Sequence, residues 1–317
     1  MATLENDKVP VKKLKVVLSL ITRDNDYQLE QAKAAETAAQ QLNVDLEILF
    51  ADSNSVTQSS QLLDTIHRYR SSLSAILVEP AGGTEFPQVG RAAVSAGIGW
   101  VVLNRDARSL SDLRRDFKAP AFAVSSDHKQ VGRIQAQQLA ALLPQSGPVL
   151  CILGPASTLA SQYRLVGLEG EKKSAMTLKI LKSPNWTEEG GFQAVSSWLR
   201  LTTSQKEPIC AVAGQNDSIA IGARKAFEDA KLLLPGGPWA QLPFLGVDGL
   251  PRTGQAFVNR GSLIATVVVP PVAGPALEAI VKAITTNIRP PDLQLIPSYS
   301  YPAIGSLRPI LMEVPQR

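Results

Sequence analysis

Short apolar runs alternate along the chain with longer segments that show helical spacing. The runs LKVVLSL from Leu14 and LSAILVE from Leu73 are rich in Val, Ile and Leu, and similar runs begin at Val44 and Trp100. Near-continuous apolar strands that alternate with helices are typical of a parallel sheet covered by helices on both faces. This part of the chain is therefore predicted to form an α/β lobe.

The same pattern starts again in the second half of the chain. Further apolar runs begin at Pro148, Leu178, Pro208, Leu242 and Ser262. Two successive β/α series of similar size predict two similar Rossmann-like lobes with parallel sheets. The segment VVVPPVAGP, residues 267–275, is a candidate crossing between the lobes, because two adjacent prolines cannot continue a central strand.

Two segments show the one-sided apolar spacing of a helix that packs on a sheet. The first follows Asp26, which is predicted to cap it. Its apolar face comprises Leu29, Ala32, Ala35, Ala39 and Leu42. The second follows Asp217, and its apolar face comprises Ile219, Ala223, Ala226, Ala230 and Leu234.

Length and composition narrow the class of protein. A chain of 317 residues exceeds the usual size of one hydrophobic core, and its 44% apolar content fits a folded two-domain protein. The net charge is only +4, and the basic residues occur as isolated pairs such as Arg114-Arg115 and Lys172-Lys173. Because a nucleic-acid site needs a denser basic face, no direct nucleic-acid binding is expected.

The cysteines and histidines show no pattern of a metal site. Cys151 and Cys210 lie in apolar runs and are predicted to be buried, inert thiols, while His67 and His128 lack metal-ligand spacing. No metal and no cofactor are expected.

Residues 1–20 bear on the compartment. Acidic residues come first and no apolar segment precedes a cleavage site, so no secretory signal is visible. No stretch of the chain approaches the roughly 18 apolar residues of a membrane span. The chain is expected in the cytoplasm, and the periplasm is the alternative if the start of the chain is truncated.

The common catalytic motifs are missing from the sequence. No G-x-G-x-x-G follows the first strand, and neither a P-loop nor a G-x-S-x-G motif occurs. The segment SSDH, residues 125–128, places Ser, Asp and His side by side, but neighbours in sequence do not form a catalytic triad. The chain is predicted not to be an enzyme. The alternative, an enzyme with Asp24 or Asp248 as general acid or base, lacks support from any motif.

Polar residues directly follow six of the predicted strands. The segments are TRDNDYQ, NRD, GPAST, SPNW, GQND and GVDG. In open parallel sheets, ligands bind in the crevice at the carboxyl ends of the strands. The six segments therefore predict a ligand-binding cleft between the two lobes.

The triplet Gln215-Asn216-Asp217 stands between two apolar runs and needs an explanation of its own. Asn and Asp both favour turns and helix N-caps, so a cap explains one of them. The sequence predicts that the Asn216 amide serves the ligand and that the Asp217 carboxylate caps the following helix.

With these motifs the sequence resembles the type I periplasmic binding protein superfamily, which includes ribose-binding proteins and the lactose repressor. The motifs that carry the resemblance are DNDYQ, VVLNRD, YRLVGLEG, AGQNDSIAIGA and GVDG, and the match runs from about Lys13 to about Ala303. The resemblance implies two Rossmann-like lobes joined by three crossings, with the ligand between them. The N-terminal lobe would comprise residues 1–125 plus 270–297, and the C-terminal lobe residues 126–269 plus 298–317.

The resemblance also implies which residues bind the ligand. The candidates from the N-terminal lobe are Asn25, Tyr27, Gln28, Asn104 and Arg105, and those from the C-terminal lobe are Arg164, Trp186, Asn216 and Asp248. Such a set suits a sugar, because Arg, Asn and Asp pair with hydroxyl groups and aromatic rings pack on the C–H faces of the sugar.

Three positions depart from the pattern of the family. Its sugar binders usually carry Asp-Arg where this chain has Asn104-Arg105, a Phe where it has Gln28, and a Gln where it has Val269. We therefore expect a pocket that is less acidic than in the ribose binders, open to a ligand that carries its own acid or carbonyl group.

The resemblance implies a non-enzymatic solute-binding protein of ABC-transporter type, which binds a sugar or sugar derivative and has a membrane permease as its partner. The alternative is a cytoplasmic ligand sensor related to the lactose repressor, without its DNA-binding domain, since residues 1–13 are too few for a helix-turn-helix. A pure interaction protein, with side chains filling the crevice, is a further alternative. A monomer is expected, with a dimer as the other option.

Overall fold

The computed structural model describes residues 13–83, 86–105, 109–204, 207–233 and 239–310. The first half of the chain forms β1 (Lys15–Leu20), α1 (Asp26–Leu42), β2 (Asp45–Phe50), α2 (Ser55–Tyr69), β3 (Leu73–Val78), α3 (Pro87–Ser95), β4 (Gly99–Leu103), α4 (Leu110–Asp116) and β5 (Ala121–Ser126). Each strand coincides with an apolar run, and each helix follows the polar residues at the end of a strand.

The second half repeats the alternation. It forms α5 (His128–Leu142), β6 (Pro148–Leu153), α6 (Leu159–Glu171), β7 (Thr177–Lys182), α7 (Glu188–Leu199), β8 (Ala211–Gly214), α8 (Asp217–Asp229), β9 (Phe244–Asp248), α9 (Gly254–Asn259), β10 (Ala265–Val268), α10 (Ala273–Thr286), β11 (Leu293–Ile296) and β12 (Tyr299–Tyr301).

The strands form two six-stranded sheets of matching order. The first sheet runs β11-β5-β4-β3-β1-β2, and the second runs β12-β10-β9-β8-β6-β7. All pairs are parallel except β10 with β12, which is antiparallel at the edge of the second sheet. The predicted α/β architecture of two Rossmann-like lobes is confirmed. The predicted lobe boundaries include residues 1–12 and 311–317, outside the described part of the chain, and they stay a prediction.

The chain passes between the two sheets three times. It leaves the first sheet after β5, returns through Pro270 and Pro271 after β10, and passes from β11 directly to β12. The two prolines end β10 and direct the chain into α10, which packs against α1 of the first lobe.

Successive residues of the strands bury their side chains on opposite faces. Leu18 of β1 packs in one cluster with α1 and α10, while its neighbour Val17 packs in another with α2 and α3. The second sheet is covered in the same way by two further clusters. This arrangement explains why the strands are apolar at nearly every position.

The predicted faces of the two helices need correction. Leu29 and Leu42 are 47% and 37% exposed, because α1 packs on the sheet through its alanines together with Gln28 and Gln31. Asn25, and not Asp26, caps α1. On α8, Ala230 is exposed because it follows the last helical residue, and Leu234 lies outside the described residues.

One cysteine prediction is also wrong. Cys151 is buried in β6 as expected, but Cys210 is only half-buried, since it precedes β8. Burial raises the pKa of both thiols. Within the described ranges, no helix is long and apolar enough to span a membrane, and no group of His, Cys, Asp and Glu has the arrangement of a metal site.

Candidate ligand-binding cleft

A cavity of about 480 Å³ lies between the two lobes, at the carboxyl ends of the strands of both sheets. Its volume falls within the range of about 300–1,000 Å³ that is usual for small-molecule sites. The structure brings all nine candidate residues into the wall of this one cavity: Asn25, Tyr27, Gln28, Asn104, Arg105, Arg164, Trp186, Asn216 and Asp248. Side chains therefore do not fill the crevice. That these residues bind a ligand stays a prediction.

The loop after β1 uses two of the candidates to hold its own backbone. Asn25 Oδ1 accepts hydrogen bonds from the backbone N–H groups of Tyr27 and Gln28, at 2.9 and 3.2 Å. Gln28 is buried, and its Oε1 accepts the backbone N–H of Ile21 at 2.9 Å. Both amides thus shape the wall of the cleft from the N-terminal side.

Tyr27 connects the cleft to the second crossing between the lobes. Its hydroxyl donates to the carbonyl of Pro270 at 3.3 Å and accepts from Asn104 Nδ2 at 3.4 Å. Burial, together with the nearby charge of Glu79, raises the pKa of this phenol, so the hydroxyl stays protonated. The ring packs against an apolar cluster that includes Val131 of α5 and Val267 of β10.

Glu79 is a cleft residue that sequence reasoning missed. It directly follows β3, it is buried, and it lines the cavity. Glu79 Oε1 accepts from Asn104 Nδ2 and Oε2 accepts from Gln31 Nε2, each at 3.2 Å. Burial raises the pKa of this carboxyl, and Arg105 partly offsets the shift. The sequence feature that could have identified Glu79 is an acidic residue at the end of an apolar run, like the polar residues that follow the other strands.

Glu79 adds a carboxylate to the pocket that was expected to be less acidic than in the ribose binders, and that comparison stays a prediction. The carboxylate that is missing at Asn104 is supplied from the neighbouring strand end, in direct contact with the Asn104 amide. The N-terminal lobe therefore still presents one carboxylate, one amide and one guanidinium to the cleft.

Arg105 lies behind this group and is almost fully buried. Its Nη1 donates to the carbonyl of Asn104 at 2.8 Å, and its Nη2 donates to the carbonyl of Pro80 at 3.3 Å. Burial lowers the pKa of the guanidinium, and Glu79 opposes the shift.

Arg164 of α6 is the matching guanidinium of the C-terminal lobe. It donates to the carbonyl of Gln215 and, at 3.4 Å, to Asp248 Oδ1, and it lies 5.5 Å from the ring of Trp186. Glu169 of the same helix contacts Lys172 at 3.9 Å. Burial raises the pKa of Asp248 to about 6, although Arg164 acts against the shift.

The division of labour predicted for the triplet is wrong in detail. Asn216 caps α8, because its Oδ1 accepts the backbone N–H of Ile219 at 2.8 Å. Asp217 is the first helical residue, and its carboxylate accepts from the Gly249 N–H at 2.8 Å and from the Thr266 hydroxyl at 2.6 Å. Asp217 therefore ties α8 to β10 and to the end of β9.

The other amides of the triplet hold the wall of the cleft. Gln215 Oε1 accepts from the Gly154 N–H at 2.9 Å and from the Ser161 hydroxyl at 2.8 Å. Asn216 Nδ2 donates to the carbonyl of Trp186 at 2.9 Å. The Trp186 ring itself lies over Gly154, where a Cβ atom would approach it to 2.2 Å.

His128 is a second cleft residue that the sequence did not single out for this role. It begins α5, it is buried, and it lines the cavity. The apolar run before it and its place next to a capping Asp127 gave no functional signal.

Taken together, the cleft offers hydrogen-bond donors and acceptors from both lobes, with an aromatic ring on each side. Guanidinium groups donate, carboxylates accept, and amides do both, which matches the needs of hydroxyl groups. Asp24, the other acid considered for catalysis, is exposed at the rim, where it accepts from the Thr22 hydroxyl at 3.4 Å.

A family model described as periplasmic binding protein domain matches residues 16–284 of the chain. The sequence is 27% identical to a putative rhizopine-binding protein of Rhizobium meliloti, over 59% of this chain and 58% of that protein. It is 26% identical to a xylitol-binding protein of Mycolicibacterium smegmatis, over 76% of this chain and 64% of that protein. The chain thus spans less than two thirds of the length of both relatives.

The fold is similar to that of solved structures. An ABC transporter periplasmic solute-binding protein from Actinobacillus succinogenes 130z, solved with bound D-allose, superposes with a TM-score of 0.78 at 22% sequence identity. The match covers 91% of this chain and 97% of that one. At this identity the similarity concerns the fold.

Proposed function

Because this chain belongs to the periplasmic binding protein domain family, we propose that it binds one small, uncharged sugar or polyol in the cleft between its lobes, without chemical conversion. The observation that carries the proposal is the cleft itself. Polar and aromatic side chains from strand ends of both lobes line one cavity of about 480 Å³.

The charges of the cleft support an uncharged ligand. Each arginine has a carboxylate of its own lobe nearby, since Arg105 lies near Glu79 and Arg164 contacts Asp248 at 3.4 Å. A sugar acid would bring its carboxylate close to these two acids, and water would no longer screen the repulsion inside the cleft. Hydroxyl groups both donate and accept, and so they suit the paired groups on each side.

The aromatic side chains of the cleft are consistent with a ligand that is a compact ring or chain of carbinol carbons. Trp186 and Tyr27 line the cleft from opposite lobes. Their apolar faces pack well against C–H groups, while the polar groups around them serve the hydroxyls. The relative named as a xylitol-binding protein is consistent with a ligand of this kind.

We further propose that the protein serves an ABC transporter and delivers its ligand to a membrane permease. A curated relative that is 23% identical over 80% of this chain, the ribose import binding protein RbsB of Escherichia coli, supports this role. Compartment and oligomeric state stay predictions: delivery to a permease needs the periplasm, the ligand-sensor alternative needs the cytoplasm, and a monomer is the expected oligomeric state. Fractionation of the native cells against marker proteins tests the first, and light scattering of the purified protein tests the second.

A thermal-shift panel tests the proposed function. The protein is unfolded and refolded to remove carried-over ligand and is then screened with xylitol, D-xylose, D-allose, L-arabinose, myo-inositol and D-galactose, with D-galacturonate as the acidic match to D-galactose. A ligand at about 100 times its Kd stabilises the native state by about 2.7 kcal/mol. We expect a shift with at least one neutral compound and a smaller one with the acid.

Two variants sharpen the test. Arg164→Met keeps an apolar stem but removes the guanidinium from the cleft, and we expect it to lose the shift. Arg133→Met removes an exposed guanidinium on α5 and should keep it. A wild-type protein that shifts with none of the neutral compounds would contradict the proposal, as would tighter binding of D-galacturonate than of D-galactose.

A further inference from the structure

The buried polar atoms without partners are concentrated at the cleft. Ten buried side-chain nitrogen and oxygen atoms lack a hydrogen-bond partner within the described ranges of the chain. Five of them belong to four residues that line the cavity: Asn104 Oδ1, Arg105 Nε, Arg164 Nε, and both Nδ1 and Nε2 of His128. Native proteins leave few such atoms, so a cluster of them points to a missing partner.

His128 stands out because its whole hydrogen-bonding capacity is unused. The residue is only 8% exposed, and neither ring nitrogen has a partner among the described residues. The side chains of Gln215 and Asn216 lie in the same region and use both their donor and their acceptor groups. A purely structural histidine at this depth would be expected to have at least one bond of the same kind.

The position of His128 relates it to both lobes. It is the first residue of α5, directly after the chain leaves β5 of the first sheet. The charges of Arg105 from one lobe and Arg164 from the other both act on it, and together with burial they lower its pKa well below the ordinary value. The ring is therefore neutral at physiological pH and offers one N–H donor and one acceptor nitrogen.

We propose that His128 is a ligand-contacting residue that determines specificity by pairing its neutral imidazole with a hydroxyl group of the bound sugar or polyol. A hydroxyl matches the ring because it also both donates and accepts. A carboxylate would use only the donor nitrogen, and an ammonium group only the acceptor nitrogen. The inference rests on the proposed function, because it places the ligand of that function against His128.

The variant His128→Phe keeps a planar ring and removes both nitrogens. We expect it to weaken binding of the best neutral compound of the panel by about 3- to 10-fold, as for the loss of one neutral hydrogen bond. The melting temperature of the ligand-free protein should stay equal or rise, because no hydrogen bond is lost in that state. His67→Phe, on the exposed surface of α2, is the matched control and should leave binding unchanged.

Two conservative variants and one spectrum separate a ligand contact from a structural role. His128→Asn and His128→Gln each keep a donor and an acceptor, and at least one of them should bind within about 2-fold of the wild type. In protein with ¹⁵N-labelled histidines, addition of the same compound should shift the imidazole nitrogen signals of His128 and leave those of His67 in place.

The outcomes distinguish the two proposals. Wild-type affinity in His128→Phe overturns the role of His128, and so do imidazole signals that are identical with and without the compound, as expected if an ordered water satisfies the ring. A fall in the ligand-free melting temperature of His128→Phe with unchanged affinity also overturns it. If the wild type binds no compound of the panel, the proposed function itself is wrong and the inference falls with it.

Discussion

Asn104 and Glu79 form a hydrogen-bonded pair at the wall of the cleft, with Asn104 Nδ2 3.2 Å from Glu79 Oε1. The family's sugar binders usually carry the acid at the position of Asn104. In this chain the carboxylate of Glu79 lies at the end of β3, and the amide of Asn104 lies at the end of β4. The pair presents one carboxylate and one amide to the cleft, and both groups can pair with hydroxyl groups of a ligand.

The first prediction concerns this pair. Glu79→Gln should weaken binding of the panel's best neutral compound by about 10-fold or more, because a charged acceptor is lost. The free energy of unfolding at neutral pH should stay equal or rise, because a buried charge is removed. Calorimetry and denaturant unfolding measure the two quantities. The double variant Glu79→Gln/Asn104→Asp, in which the acid and the amide trade places, should recover part of the affinity. Unchanged binding in the single variant would count against the role of Glu79.

The second prediction concerns Asp217. Asp217→Ala should lower the unfolding free energy by about 2 kcal/mol or more, because the Gly249 N–H and the Thr266 hydroxyl lose their acceptor inside the protein. Asp217→Asn should be tolerated, since its Oδ1 still accepts and the hydroxyl can turn. Asp26→Ala, at the equivalent first residue of α1 but exposed, is the control with little effect. Equal losses in both alanine variants would contradict the assignment.

The third prediction concerns Asn216. Asn216→Ala should cost about 1 kcal/mol of stability through the lost cap of α8. Asn216→Ser restores a capping oxygen but not the bond to the Trp186 carbonyl. Its stability should therefore return to that of the wild type, while its ligand affinity should be as low as that of Asn216→Ala. Thermal unfolding and calorimetry on both variants make the comparison. If the serine variant binds like the wild type, the Asn216 Nδ2 group serves neither Trp186 nor the ligand.

The fourth prediction concerns Gly154. A methyl group there would lie 2.2 Å from the Trp186 ring, so Gly154→Ala must displace the ring. Because the end of a long side chain can move at low cost, we expect weaker ligand binding with a small change in melting temperature. Gly305→Ala has open space around its Cβ and is the control. Tryptophan fluorescence reports the displacement directly, and an unchanged spectrum with unchanged affinity would show that Trp186 lies elsewhere in solution.

The fifth prediction concerns pH. Burial raises the pKa of Asp248 from 3.8 to about 6, so the folded state holds its proton more tightly than the unfolded chain. The stability that this group contributes is fully present below about pH 4 and is lost as the pH rises through about 6. The unfolding free energy of the ligand-free wild type should therefore fall more steeply over this range than that of Asp248→Asn. Denaturant unfolding across the range measures both slopes, and identical slopes would refute the shift.

Some slope should remain in Asp248→Asn. Burial also raises the pKa values of Glu79 and Asp217, and both shifts act in the same direction, whereas the lowered pKa of His128 acts in the opposite direction. Repeating the series in Asp217→Asn separates its contribution from that of Asp248.

The sequence by itself determined the two α/β lobes and the place of the cleft between them. Both follow from local properties of the chain. Apolar runs of β1 to β10 alternate with amphipathic helices, and polar residues such as Arg105 and Asp248 lie at or just after the strand ends. In a parallel sheet, residues at those positions are carried to one edge whatever their later contacts are. The nine candidates, which the family resemblance implied, all line one cavity, but they did not include Glu79 and His128.

The tertiary structure alone decided which partner each side chain takes. Glu79 and Asn104 are 25 residues apart, and Asp217 and Thr266 are 49 residues apart, so no local pattern reports that they touch. The same applies to His128, whose ring has no hydrogen-bond partner in the part of the chain that the structure describes, a fact recognised only once its surroundings are known. Caps, buried acids and ligand contacts use the same residue types at the same strand ends, and only the packing of distant elements determines which group is satisfied within the fold and which is left for a ligand.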